Sequence, residues 1–191
     1  AVTLALALRP HWESAGMPAA LQQVLGRALS AVEAEAPDRA LLSAGHELMA
    51  YLRFEAGFTA AAQGHAEAAL HHAGAHGPLR ARALVRRAWL DLAAGRNTDP
   101  TPSCSTPARG WLDEALVLAR DSGDREAQAR ALHQLAVLAS HHQDDWAGAE
   151  ALLAQSQALW LALGDRRKAF ARLRNRGQCW LRLSRADDAR A

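Results

Sequence analysis

Nine histidines and two cysteines are the side chains of this 191-residue chain best suited to ligate a metal or attack a substrate. His71, His72 and His76 gather near one helix end, and His141 and His142 near another. His72 and His76 stand four apart, a spacing that puts two imidazoles on one helical face and suits two ligands of a zinc ion. A site needs a third ligand, and Glu67 is the nearby carboxylate on a suitable face. The plainer reading is polar residues at helix ends, so no metal and no cofactor are assigned. Cys104 and Cys179 are too far apart for a paired metal motif or a disulfide framework, which points to a reducing, cytoplasmic setting. Cys104 sits in a Pro-rich stretch from which no activating Cys-His pairing can be argued, and Cys179, between Gln178 and Trp180, reads as a structural helix residue. There is no Gly-flanked nucleophile and no phosphate loop of the G-x-x-x-x-G-K-[ST] type. No catalytic residue is assigned, and the chain is expected not to be an enzyme.

The charge pattern excludes other classes. The 22 basic and 20 acidic residues are interspersed, leaving a net charge of +2. The densest basic run, Arg166, Arg167, Lys168, Arg172, Arg174 and Arg176, spreads around most of a helix instead of forming one phosphate-tracking stripe. With no helix-turn-helix reader either, direct nucleic-acid binding by this segment is not expected. The apolar opening, Ala1 to Leu8, is cut by Arg9 and Pro10 far short of the ~20 residues that span a bilayer. It also lacks the basic start and cleavage site of a signal peptide, so no membrane partner is expected. The absence of an initiating Met suggests a fragment of a larger protein.

The elements that must position these residues are helical. There are 46 alanines and 29 leucines, against six valines and no isoleucine. That composition favours helix over sheet throughout. The chain also repeats. Gly123-Asp-Arg-Glu-Ala-Gln-Ala-Arg-Ala-Leu132 aligns without gaps on Gly164-Asp-Arg-Arg-Lys-Ala-Phe-Ala-Arg-Leu173, and Ala136 and Gly177 then occupy equivalent places 41 residues apart. Ala81-Arg-Ala-Leu84 with Ala88 is an earlier copy, offset by 48 residues because of a Pro/Ser/Thr-rich stretch from Arg96 to Ser105 that reads as an enlarged loop. Each unit is a helical hairpin. In Gly123-Asp124 and Gly164-Asp165, Gly can close one helix and Asp can open the next. The expected hairpins run over 1–36, 38–75, 78–121 with a loop at 96–106, 124–163 and, in part, 165–191, as one domain over 1–191.

Small–large spacing within hairpins of about 40 residues resembles a tetratricopeptide (TPR) array, most specifically in the last two units. Departures from the family pattern are the Gly-Asp joint in place of the usual exit Pro, and a unit longer than about 34 residues. The "LGDR" joint, Leu163-Gly-Asp-Arg166, is similar to that in TPR arms of large bacterial signal-transduction ATPases, including LuxR-type and antibiotic-regulatory-type transcription activators. Leu8-Arg-Pro-His-Trp-Glu-Ser-Ala-Gly16, followed by a helix ending Gly26-Arg-Ala-Leu29, resembles the stretch after the ATPase module in such regulators. The resemblance implies an all-α, right-handed α-solenoid whose inner surface is lined mainly by the first helix of each hairpin.

Counting from the leading Leu of each unit then gives the lining of that surface. It comprises Arg82, Val85, Arg86, Trp89 and Ala93; Arg130, His133, Gln134, Val137 and His141; and Ala171, Arg174, Asn175, Gln178 and Arg182. The groove candidates among them are Arg82, Arg86, Trp89, Arg130, His133, Gln134, Arg174, Asn175, Gln178 and Arg182. Arginine forks and amides of this kind suit an acidic peptide, a protein partner or a small anionic effector. Val85, Trp89 and Gln134 depart from the carboxylate clamp of chaperone-binding TPR proteins. The expected function is a non-enzymatic sensor or interaction arm of a cytoplasmic bacterial signal-transduction or transcriptional regulator. The alternatives are a free-standing scaffold binding a partner peptide and, third, a histidine-based metal-binding protein. Trp111, Trp146 and Trp160 should pack between units. The last apolar stripe, Trp180, Leu181 and Leu183, calls for a partner, whether a further repeat or another copy by self-association.

Overall fold

The computed structural model describes residues 1–35, 37–98 and 106–188, and all of the regular structure among them is helical. The helices are α1 (Val2–Ala7), α2 (Arg9–Ala15), α3 (Ala19–Glu35), α4 (Arg39–Glu55) and α5 (Thr59–Ala73), followed by α6 (Gly77–Thr98), α7 (Thr106–Asp121), α8 (Arg125–His142), α9 (Trp146–Ala162) and α10 (Arg166–Asp188). From α4 onwards each helix packs on the next, and α4, α6 and α8 also touch in succession. No helix among the described residues is long and apolar enough to cross a membrane.

The joints follow from local chemistry. After α7, Gly123 takes φ +68°, the Gly123 N–H reaches the Arg120 carbonyl, and the Asp124 N–H reaches that of Ala119. This double bond satisfies carbonyls that a helix end would otherwise leave orphaned. Asp124 then accepts from the Ala127 N–H at 3.1 Å and opens α8. Gly164 (φ +76°) and Asp165 repeat the arrangement before α10. Before α9 the cap is Asp145, which accepts from the Gly148 N–H at 2.8 Å. Asp145→Ala is expected to cost about 1 kcal/mol in urea unfolding; no loss would mean that α9 starts without its cap.

Two expectations need correction. The hairpin expected over 1–36 opens on two short helices in place of one, parted at Leu8, because Pro10 has no N–H to carry a continuous ladder. The loop expected over 96–106 starts later: Arg96, Asn97 and Thr98 continue α6, since extending an existing helix is far easier than starting one. The remainder of that loop, with Cys104, lies outside the described residues.

The interior is leucine and alanine. Leu25, Leu29, Leu42, Leu48 and Met49 bury against Val2 at one end, and Leu84, Leu92, Leu112, Leu132 and Leu138 form the centre. Ala88, Ala108, Ala115 and Ala131 are fully buried and keep helix axes close. Gly45 also sits at a close approach: a Cβ there would lie 2.5 Å from Leu29 Cδ2 and would displace that side chain. Two buried hydroxyls cross between helices, Ser43 donating to the Ala69 carbonyl at 3.0 Å and Ser156 to that of Ala129 at 2.7 Å. Trp160 packs between Ala129 of α8 and Ala169 of α10. On α10, Phe170, Trp180 and Leu181 stay exposed.

Candidate functional site

The alternate helices α2, α4, α6, α8 and α10 converge on one cavity of about 250 Å³. Helical spacing sets its lining: Arg9 and Glu13 from α2, Glu47 and Tyr51 from α4, and Arg82, Val85, Arg86 and Trp89 from α6. Glu126, Arg130, His133 and Gln134 come from α8, and Arg167, Lys168 and Arg172 from α10, with Trp160 of α9 among them.

Most of these charges are already paired. Glu47, with a side chain 7 % exposed, accepts from Arg9 and, through one oxygen, from Arg86 Nε (3.1 Å) and Nη2 (3.0 Å). Glu13 lies 3.4 Å from Arg9 and 3.3 Å from Arg130, and Arg130 also reaches Glu126 at 2.7 Å. Arg82 pairs with Asp124 at 2.6 Å, and Lys168 with Asp165 at 3.1 Å. The Arg86 guanidinium lies 5.0 Å from the ring centroids of both Tyr51 and Trp89, within cation–π range of each. Tyr51 donates to the Glu13 carbonyl, tying α4 to α2.

Burial and charge compete at each of these groups. Burial alone would raise the Glu47 pKa, but Arg9, Arg86 and Arg130 outweigh it and hold the carboxyl at about 2. Burial lowers Arg86, with Arg130 and Arg9 adding to it against Glu47. For Arg130 burial is outweighed by Glu13, Glu47 and Glu126, and its pKa rises. Arg172 differs. Burial, then repulsion from Arg130 and Arg174, lowers its pKa to about 10, and its buried Nε has no hydrogen-bond partner. It is a cation placed among cations.

The structure divides the residues expected to line the groove. Arg82, Arg86, Trp89, Arg130, His133 and Gln134 line this cavity. Asn175, Gln178 and Arg182 line a neighbouring one of about 560 Å³, together with Trp146 and Cys179. His133 belongs to both cavities and holds Asn175 Nδ2 at 3.3 Å. Arg174 is exposed and lines neither. The Arg86 fork is engaged by Glu47, and the carboxylates Glu13, Glu47 and Glu126 share the inner surface with the cations. Sequence reasoning missed those three carboxylates and Arg9, Tyr51, Arg167, Lys168 and Arg172; the signal available was the i, i+4 spacing of Arg9 with Glu13 and of Lys168 with Arg172.

Buried Cys179 has its thiol pushed up by burial and by Glu150, the reverse of an activated nucleophile. His71 and His76 are exposed, and Glu67 pairs with Arg87 at 2.8 Å. Among the described residues, Glu33, His46 and His72 form the grouping that is close enough to hold a metal ion. Comparison of the chain with family models, curated proteins and solved structures finds no match.

Proposed function

We propose that this chain is a non-enzymatic ligand-binding array of TPR-like hairpins, wound as a right-handed solenoid. It serves as the sensor or interaction arm of a bacterial signal-transduction or transcriptional regulator, and its groove takes an anionic group. The packing of each helix on the next and the lining of one cavity by alternate helices support the hairpin reading. One observation carries the ligand. Seven cations and three carboxylates line the central cavity, and the buried Nε of Arg172 has no partner. Asp124 and Asp165 pair with Arg82 and Lys168 from beside the lining, and cations still outnumber carboxylates.

A carboxylate or phosphate between α8 and α10 would meet Arg172 and Arg130 together, relieving their repulsion with charge-assisted hydrogen bonds. Because the ligand would bridge helices from different hairpins, its binding would favour one spacing of those hairpins over others, which is what a sensor arm transmits. A free-standing scaffold is the second reading. It is favoured by the sharing of His133 between two cavities, which offers an extended acidic peptide a continuous path.

The test is thermal stabilisation by phosphate, dicarboxylates, nucleotides and acidic peptides, repeated in Arg172→Gln and Arg174→Gln. Binding should weaken about 10–100-fold in Arg172→Gln, the worth of one hydrogen bond to a charged group. It should be unchanged in Arg174→Gln. Equal losses in the two variants would reduce the effect to general surface charge, and stabilisation by peptides alone would favour the scaffold.

A further inference from the structure

Away from the groove, three helices bring imidazoles and a carboxylate together. Glu33 lies near the end of α3, His46 within α4, and His65 and His72 two turns apart on α5. One ligand atom from each of Glu33, His46 and His72 lies within 4.8 Å of the others, and His72 Nε2 is 3.3 Å from Glu33 Oε1. Tetrahedral bonds of about 2.1 Å set neighbouring ligand atoms about 3.4 Å apart, so this pair already stands at coordination distance.

The His46 ring is in an unusual state for a side chain with no ligand. Its Nδ1 meets His65 Nδ1 at 2.9 Å, a contact that requires one nitrogen to donate and the other to be bare. Its Nε2 is buried and has no hydrogen-bond partner. The ring also lies parallel to that of His72, at 7° and 5.5 Å between centroids. Neutral imidazole is the form that ligates. When His46 Nδ1 donates to His65, Nε2 is the bare nitrogen, and His65 acts as the outer partner that holds the ligating ring in its tautomer.

We propose that Glu33, His46 and His72 form a binding site for a divalent transition-metal ion of the zinc type, with His65 positioning His46. Two nitrogens and one carboxylate oxygen suit zinc, nickel or copper and not calcium or magnesium, and they leave a coordination position open. The ion would pin α3 to the α4–α5 pair. This site shares no residue with the histidine set suggested by the sequence except His72, and it stands independently of the groove.

The experiment is calorimetric titration of zinc chloride, then nickel chloride, into tag-free, chelator-stripped protein, with cobalt(II) absorption as a second readout. About one equivalent should bind and raise Tm. His72→Ala should abolish binding, and Glu33→Gln, at an exposed position that keeps the fold, should weaken it at least 10-fold. His65→Ala should weaken it about 10–100-fold, as loss of an outer partner does, whereas His71→Ala and His76→Ala should leave it unchanged. Circular dichroism of each variant separates lost ligation from lost folding. Absence of stoichiometric binding in the unaltered protein, or binding that follows His76 and not Glu33, overturns the site.

Discussion

Glu47→Ala should lower the unfolding free energy by about 3–5 kcal/mol, the cost of removing one partner from a buried ion pair. The loss comes from what is left behind: Arg86, 7 % exposed, and Arg9, 18 % exposed, would face each other and Arg130 with Glu13 as their remaining shared carboxylate. Glu126→Ala removes a pair that is 42 % exposed on the acid side and should cost about 1 kcal/mol or less. Acid unfolding gives the same contrast. The Glu47 carboxyl is held at about 2 in the folded chain, below its ordinary 4.5, so its contribution is fully present above about pH 4.5 and is lost as pH falls through 2. The size of that displacement corresponds to about 3 kcal/mol. Chemical denaturation of chelator-treated protein from neutral to acid pH should therefore show a shallower acid-side loss in Glu47→Ala. A variant within 1 kcal/mol of the parent at neutral pH would mean that the network does not hold α4 to α2 and α6.

Trp160→Ala should cost about 3–5 kcal/mol, as large-to-small aromatic truncations in cores do. The ring is 2 % exposed between Ala129 and Ala169, with Lys168 Nζ 4.3 Å from its centroid. Those alanines cannot extend to fill the cavity. If the hairpins are coupled mainly to their neighbours, the damage should stay local, with amide exchange accelerating first in α9 and α10 and last in α4 and α5. Uniform acceleration along the chain would argue for one undivided core.

What was legible in the sequence was local. The Gly-Asp joints need no distant partner, so Gly123, Asp124, Gly164 and Asp165 reveal their roles by type and order. Arg82, Arg86 and Trp89 follow from the spacing around Leu84, and they do line the cavity. In α10 the count finds Asn175, Gln178 and Arg182, which line the second cavity, but it selects Arg174 where Arg172 reaches the first. Two residues are about 200° around a helix, so the leading Leu is not a safe origin there. The pairing of Arg130 with Glu13 spans 117 residues, and such a contact leaves no local pattern. The sequence offered His72 but not Glu33 or His46, for the same reason: three helices supply the set, while His71 and His76, which flank His72 in sequence, lie on exposed surface.

The most direct measurement is nitrogen-resolved magnetic resonance of the arginine Nε–Hε groups while inorganic phosphate or a dicarboxylate is titrated in. A groove tuned to an anion predicts that the Arg172 and Arg130 signals move first and saturate together, with Arg174 still. Shifts that appear equally at Arg174 and the other exposed arginines, without saturation, would contradict an anion site in the groove.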